Sequence, residues 1–343
     1  MKDFAIGVDL GGTNLRIAAV DNQGALVEKV TLGTKVSLGR DHVIDDMCKA
    51  VQHLVEKYES SSMLVGIGIG VPGIIDMQSG LLRESPNLPG WADYPVRAEI
   101  EHRLKTVVIL ENDANVAALG EKWLGAAKDF EDMAMLTLGT GVGGGLVLGG
   151  AIWHGMNGMA GEFGHTNVEP EGHPCKCGNR GCLEQYASAT AVVRMAKEAI
   201  AASAASSLAK AAHADAEFSA KSIYNLAIQG DEDARRIFRQ VGRALGIVLS
   251  ALVNSLNLPI YVIGGGVSSA WDAFSPMIFE ELRWRSMVYA ATAPPDPVAA
   301  SHGASAQVEP DPGRKTIITR ARLGSDAGLY GAARLPMVPE AKR

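Results

Sequence analysis

Apolar and polar positions alternate through the first third of the chain in the rhythm of strands broken by one long helix. FAIGVDLGGTNLRIAAVD reads as two apolar strands joined by a glycine turn, and ALVEKVTLGT as a third. Around Asp41–Glu59 the period changes: Val43, Ile44, Met47, Ala50, Val51, Leu54 and Val55 recur every three or four residues, which predicts a helix with one buried stripe. MLVGIGIGVPG is a short apolar run closed by Pro72-Gly73, as expected of a buried strand that ends in a turn. PVRAEIEHRLK is helical and TVVILEND a further strand, with another helix starting soon after Asp113. DMAMLTLGTGVGGGLVLGGAIW predicts two strands in a hairpin.

Beyond residue 185 helices dominate. Residues 187–216 are Ala-rich and helical, and DEDARRIFRQVGRALGIVLSALVNSLN is a long helix whose acidic first turn suits the helix dipole. PIYVIGGGVS is a strand with a glycine turn. Residues 291–315, rich in Pro, Ala and Ser, are expected to form a mobile loop. TIITRARL reads as a last strand and SDAGLYGAARL as a last helix capped by Ser325. No fixed-period repeat is visible, and the order of elements is α/β.

Composition narrows the class. A chain of 343 residues has room for two domains, and 47% apolar with 20% charged residues is the balance of a folded, enzyme-sized protein. Lys plus Arg number 32 against 38 for Asp plus Glu, a net charge of -6 that argues against a generally basic nucleic-acid surface. No run of about 18 apolar residues suggests a membrane span. Met1-Lys2-Asp3 leads straight into a strand rather than into a basic-then-apolar leader, so a cytoplasmic location is expected. The 39 glycines are clustered, which points to ligand sites built from backbone.

Three glycine turns carry that signal. In Asp9-Leu10-Gly11-Gly12-Thr13-Asn14 the absent side chains let backbone N–H groups and the Thr13 hydroxyl approach phosphate oxygens, and Asp9 is placed to hold a hydrated Mg2+ through water. An ordinary hairpin turn would look similar. Neither a Walker loop nor a helix-opening GxGxxG is present. Gly139-Thr140-Gly141 lies in a second such turn, and Gly264-Gly265-Gly266 follows a strand close to a helix start. Three turns of this kind suit a nucleotide between two lobes, its phosphates on the first two turns and its nucleoside near the third.

Asn112-Asp113 closes TVVILEND, where a carboxylate at the carboxyl edge of a parallel-type strand faces the ligand crevice. There it would accept a hydroxyl proton as that oxygen attacks phosphorus. A helix N-cap is the competing use of the same aspartate, and from the pair alone the better one.

Of four cysteines, Cys175, Cys177 and Cys182 crowd together after Glu162-Phe-Gly-His165, with Glu184 just beyond. Three thiolates and one imidazole complete a closed tetrahedral zinc site, structural rather than catalytic. His165 and His173 both qualify as the fourth ligand. Cys48 sits alone on the helical stripe as a buried filler.

Taken together, DLGGTN, GVPG (70–73), PNLPGW (86–91), ENDANVAALGE (111–121), LGTGVGGG, GEFGH, CKCGNRGCLE and VIGGGVS resemble the ROK family of sugar kinases and repressors, across nearly the whole chain. The resemblance implies a two-lobed actin-like (ribonuclease H-like) ATPase fold: a small lobe of residues 1–112 plus 326–343 and a large lobe of 113–325. It further implies Asp113 as the base that deprotonates a sugar 6-hydroxyl. Asn87, Asn112, Glu162, His165 and Glu184 correspond to sugar-binding positions. His165 rather than His173 joins Cys175, Cys177 and Cys182 on zinc, with its other ring nitrogen toward the sugar. Asp9, Gly11, Gly12 and Thr13 correspond to the first phosphate turn, Gly139, Thr140 and Gly141 to the second, and Gly264, Gly265 and Gly266 to the nucleoside side.

The activity so implied is ATP- and Mg2+-dependent phosphorylation of a hexose, glucose first, with N-acetylmannosamine, N-acetylglucosamine or fructose as alternative acceptors and polyphosphate as an alternative donor. A homodimer or homotetramer is the family expectation. Repressors of the family carry a helix-turn-helix ahead of the DxGGT stretch. Asp9 lies too early for one, so no nucleic-acid partner is expected.

Overall fold

A computed structural model describes residues 3–85, 87–202, 207–214, 217–294 and 315–339. Most of the stretch expected as a mobile loop, residues 295–314, lies outside them. In chain order the elements are β1 (Phe4–Leu10), β2 (Asn14–Asp21), β3 (Leu26–Gly33), α1 (Arg40–Tyr58), β4 (Leu64–Val71), β5 (Ile74–Asp76), β6 (Leu81–Glu84), α2 (Val96–Leu104), β7 (Val108–Asn112) and α3 (Asp113–Trp123). There follow β8 (Met133–Leu138), β9 (Val142–Leu148), β10 (Ala151–Ile152), α4 (Glu184–Ala187), α5 (Ala189–Ala202), α6 (Ser207–Ala214), α7 (Ala220–Ile228) and α8 (Glu232–Leu256). The chain ends through β11 (Ile260–Gly264), α9 (Trp271–Arg285), α10 (Met287–Thr292), β12 (Ile317–Arg320) and α11 (Ala327–Arg334).

Two compact units result: Met1–Met135 with Gly144–Gly161 and Arg322–Arg343, and Leu136–Gly143 with Glu162–Ala321. The lobes expected from the family resemblance divide the chain at other points. In the first unit the period-two alternation of the strands explains how the sheet is covered. Phe4, Ile6, Val8, Leu10, Leu15 and Ile17 turn to one face and pack with Val43, Ile44, Met47, Val51 and Leu54 of α1. Ala18 and Val20 turn to the other face, against Leu329 and Ala333 of α11. Cys48 is buried in the α1 layer, and burial pushes its thiol up to about 11, as befits a filler.

That sheet runs β3-β2-β1-β4-β7, with β1, β4 and β7 parallel. A second sheet runs β10-β9-β8-β11-β12. Counted within each sheet, the strands follow the same order: third, second, first, fourth, fifth. The repeat that the sequence hides is therefore present in topology, and the turns after β1 and β8 occupy equivalent places in it.

In the second unit α8 is capped by Asp231, which accepts from Ala234 N–H at 2.7 Å, and Glu232 and Asp233 form the expected acidic first turn. By length and apolarity α8 meets the requirement of a membrane span, yet 61% of its most apolar window is buried in the protein, as in a core helix. The described residues of the Ala-rich 187–216 stretch are largely helical, in α5 and α6, with 203–206 and 215–216 outside the described residues. Ser325 does not cap the last helix: it lies in a 3-10 turn, and the cap position falls to Asp326, without a side-chain bond.

Candidate active site

Because β1, β4 and β7 are parallel neighbours, their carboxyl ends share one edge of the first sheet. Asp9 pairs with Gly70 and Gly70 with Glu111 across that edge, so three segments singled out by sequence (the DLGGTN turn, Pro72-Gly73 and Asn112-Asp113) emerge side by side. At about 4.8 Å per strand, the outer two are roughly 10 Å apart. A side chain on Gly12 would run into the Asn87 carbonyl oxygen at 2.9 Å, so Asn87 lies directly on the first turn. Asp9 accepts from Arg16 Nη1 at 3.0 Å. Burial raises the Asp9 pKa while Arg16 opposes the rise. That arginine partner was not apparent from the sequence.

The cap of α3 is Asn112, not Asp113. Asn112 Oδ1 accepts from the Ala114 and Asn115 N–H groups at 2.9 and 3.2 Å, and its Nδ2 donates to Gly73 O at 3.1 Å. One amide hydrogen of Asn112 is left for a ligand. With the cap filled by its neighbour, Asp113 becomes the first helical residue, its Oδ1 accepting from Ala114 N–H at 2.9 Å. The preceding residue, Glu111, is only 2% exposed. Its Oε1 accepts from Asn112 N–H at 2.8 Å and Asn115 Nδ2 at 2.9 Å, and its Oε2 lies 2.6 Å from His154 Nε2. The bond to Glu111 holds the His154 pKa above its usual value despite burial. His154 also lines an open cavity of about 490 Å³ with Ile74, Asp76 and Arg83.

In the second unit, Gly139 and Thr140 line a cavity of about 340 Å³ together with Gly266, Val267 and Ser269 of the third turn. Lys221 and Tyr224, three residues apart on one face of α7, form part of its wall with Phe238. Neither was singled out from sequence; their i, i+3 spacing marks a shared face but not what the face meets. The second turn is fixed from outside by Ala189 N–H to Gly139 O at 2.8 Å and by the Thr190 hydroxyl to Thr140 O at 2.7 Å. Glu184 Oε2 accepts from Val142 N–H at 3.1 Å and lies so close to Gly141 that any side chain there would displace the carboxylate.

Cys175, Cys177 and Cys182 gather with one of the two candidate histidines into a cluster able to hold a metal ion. One donor atom from each of His165, Cys175, Cys177 and Cys182 lies within 4.8 Å of the others. Cys177 Sγ and Cys182 Sγ are 3.7 Å apart, and Cys175 Sγ is 3.7 Å from His165 Nδ1. Tetrahedral ligands at Zn–S of about 2.3 Å and Zn–N of about 2.0–2.1 Å must be roughly 3.5–3.8 Å apart, so the donor set fits zinc. All three cysteines are free thiols. His173 is outside the cluster, its Nδ1 beside Pro174 O at 3.0 Å. His165 Nε2 turns instead toward Glu162 Oε2 at 3.9 Å, with both side chains more than a third exposed.

The sequence profile of the ROK family matches residues 5–337. A glucokinase of Halalkalibacterium halodurans is 42% identical over 269 residues, covering 78% of this chain and 81% of the relative. The glucokinase of Thermotoga maritima is 37% identical over 328 residues, 96% of this chain and 95% of its own. In structure, a ROK family glucokinase from Streptomyces griseus in complex with glucose and AMPPNP superimposes with a TM-score of 0.75 at 32% identity, covering 97% of this chain and 98% of that one.

Proposed function

Since the chain belongs to the ROK family, we propose that it is a glucokinase, transferring the γ-phosphoryl group of ATP to the 6-hydroxyl of glucose. The observation that carries this reading is the placement of Asp113 at the tip of β7, on the same sheet edge as the Asp9–Thr13 turn, with its neighbour Asn112 taking the helix cap. The bond from Ala114 N–H to Asp113 Oδ1 at 2.9 Å steadies the carboxylate at that tip, where it serves as the base. Asp113 takes the proton from O6 as the O6–P bond forms and the bond from Pγ to the bridging oxygen breaks, releasing ADP and glucose 6-phosphate. Phosphoryl transfer demands chiefly alignment and charge neutralisation.

Asn87, Asn112, Glu162, His165 and Glu184 hydrogen-bond the sugar hydroxyls in this reading. A site built from such fixed donors and acceptors discriminates strongly against sugars that lack them. Gly11, Gly12, Thr13, Gly139, Thr140 and Gly141 offer backbone N–H groups and hydroxyls to the phosphates, and the 340 Å³ cavity beside Gly264, Gly265 and Gly266 takes the nucleoside. Asp9 would hold Mg2+ through water; one carboxylate suffices because the nucleotide supplies the remaining anionic ligands. When bound, that ion neutralises charge on the β- and γ-phosphates. Zinc bound by His165, Cys175, Cys177 and Cys182 would brace the segment that presents Glu162 and Glu184. The protein acts in the cytoplasm as a homodimer or homotetramer.

The test is ADP release coupled to a reporter enzyme, with ATP and a panel of glucose, fructose, N-acetylglucosamine and N-acetylmannosamine. Glucose is expected to give the highest kcat/KM. An N-acetylhexosamine or fructose in first place would reassign the acceptor, and faster transfer from polyphosphate than from ATP would reassign the donor.

A further inference from the structure

We propose that Glu111 and His154 form a positioning pair, which sets the direction of the Asn112-Asp113 tip without touching the reacting atoms. The proposal rests on the hexose-kinase reading of that tip. Its starting point is a residue that packing does not explain. Glu111 lies in β7 among Val108 and Leu110, with 2% of its surface exposed. Burying a carboxylate costs several kcal/mol unless it is fully paired, and an apolar residue of similar volume often serves stability as well or better. A strand needing only a core residue there has no use for an acid.

What the acid provides is direction. Two of its three partners belong to the segment that carries the base: the Asn112 backbone N–H and the Asn115 side chain, at 2.8 and 2.9 Å. The third, His154, comes from the loop that follows β10, forty-three residues along the chain, at 2.6 Å. Asn112 is in turn clamped at both ends of its amide, by the first turn of α3 and by Gly73 O. Asp113 is bonded covalently to this clamped residue, so its carboxylate inherits its placement. The imidazole completes the hydrogen-bonding of Glu111 from outside the strand. Without it Glu111 Oε2 loses its partner, and the group that holds Asn112 is free to turn.

Misplacement of a catalytic group by about 1 Å can cost on the order of 100-fold in rate. Glu111→Gln, His154→Gln, His154→Phe and the Glu111→Gln/His154→Gln double variant are therefore compared with wild type in kcat, KM for glucose, KM for ATP and thermal midpoint. His154→Gln, at a position whose side chain is 22% exposed, keeps the comparison informative if Glu111→Gln does not fold.

The expected result is a fall in kcat of roughly 10- to 100-fold in Glu111→Gln and His154→Phe, with KM for ATP within about twofold of wild type. His154→Gln, which retains a donor, should recover part of the loss. The double variant should be no worse than about threefold below the poorer single, because the two act as one unit. A kcat within about twofold of wild type in a folded His154→Phe protein overturns the proposal. So do fully multiplicative single effects, or a loss that appears equally in KM for ATP and in thermal midpoint. A wild-type chain that phosphorylates no sugar removes the hexose-kinase reading and the proposal with it, an outcome distinct from active but indifferent variants.

Discussion

A methyl group at Gly141 tests how sugar recognition depends on the second glycine turn. The Cβ of Gly141→Ala would lie 3.3 Å from Glu184 Cδ and well inside contact distance of Glu184 Oε2. The turn is tied down on both sides through Gly139 O and Thr140 O, so the flexible carboxylate must yield. In yielding it loses Val142 N–H, 3.1 Å away, and leaves the position from which it would bind a sugar hydroxyl. A hydrogen bond to a charged group contributes about 1.5–3 kcal/mol. At about 1.4 kcal/mol per tenfold, losing the one to sugar weakens glucose binding roughly 10- to 100-fold. The same displacement breaks the bond to Val142 N–H in the sugar-free protein, so the thermal midpoint should fall by a few degrees while the protein still folds. Calorimetric titration with glucose, beside a thermal melt of the same sample, measures both. Glucose affinity within about twofold of wild type would refute the assignment of Glu184 to the sugar.

Asp113→Asn should lower kcat by at least about 100-fold, the scale of general-base catalysis, while glucose Kd by titration stays within a few-fold; near-normal turnover would remove Asp113 from the base position. Cys177→Ser, or exhaustive chelation, should remove one equivalent of zinc by elemental analysis, lower the thermal midpoint and weaken glucose binding. Unchanged glucose Kd in verified metal-free protein would uncouple the cluster from the sugar. Because Glu111 raises the folded-state pKa of His154, the stability contributed by this pair is complete below the unfolded imidazole value of about 6.5. It fades as pH rises through the raised value. The urea-midpoint difference between wild type and His154→Gln should therefore shrink from about pH 6 to about pH 9, and growth over that range would contradict the assignment.

Local signals in the sequence carried far. The strand-turn-strand around Asp9–Asn14, the helical stripe of α1 and the cysteine cluster are visible because the residues that make each feature lie within one element or one turn of each other. The choice between His165 and His173 was open on spacing and closed by geometry: His173 is nearer to Cys175 along the chain but turns to Pro174 O. Asparagine and aspartate cap helices almost equally well, so only the hydrogen bonds to Ala114 and Asn115 show that Asn112 does the capping. Long-range pairings were out of reach. Nothing in TVVILEND or in the stretch around His154 says that Glu111 and His154 meet, and an acid in an apolar strand was the only clue. The repeated strand order left only its two glycine turns, after β1 and β8, as a mark, since the two sheets share a strand order but little residue pattern.

The position of α11 has a consequence for how the protein is made. Leu329 and Ala333 close one face of the first sheet over Ala18 and Val20, and Ala332 and Leu335 join Val116, Leu119 and Ile152. A ribosome that has translated every strand of that sheet still has some two hundred residues to go before the covering helix emerges. Until then the apolar surface that Leu329 and Ala333 cover stays exposed, and most of the second unit is translated in the meantime. Fragments that stop short of residue 327 are therefore expected to refold poorly and aggregate, because the last piece of this core arrives at the end.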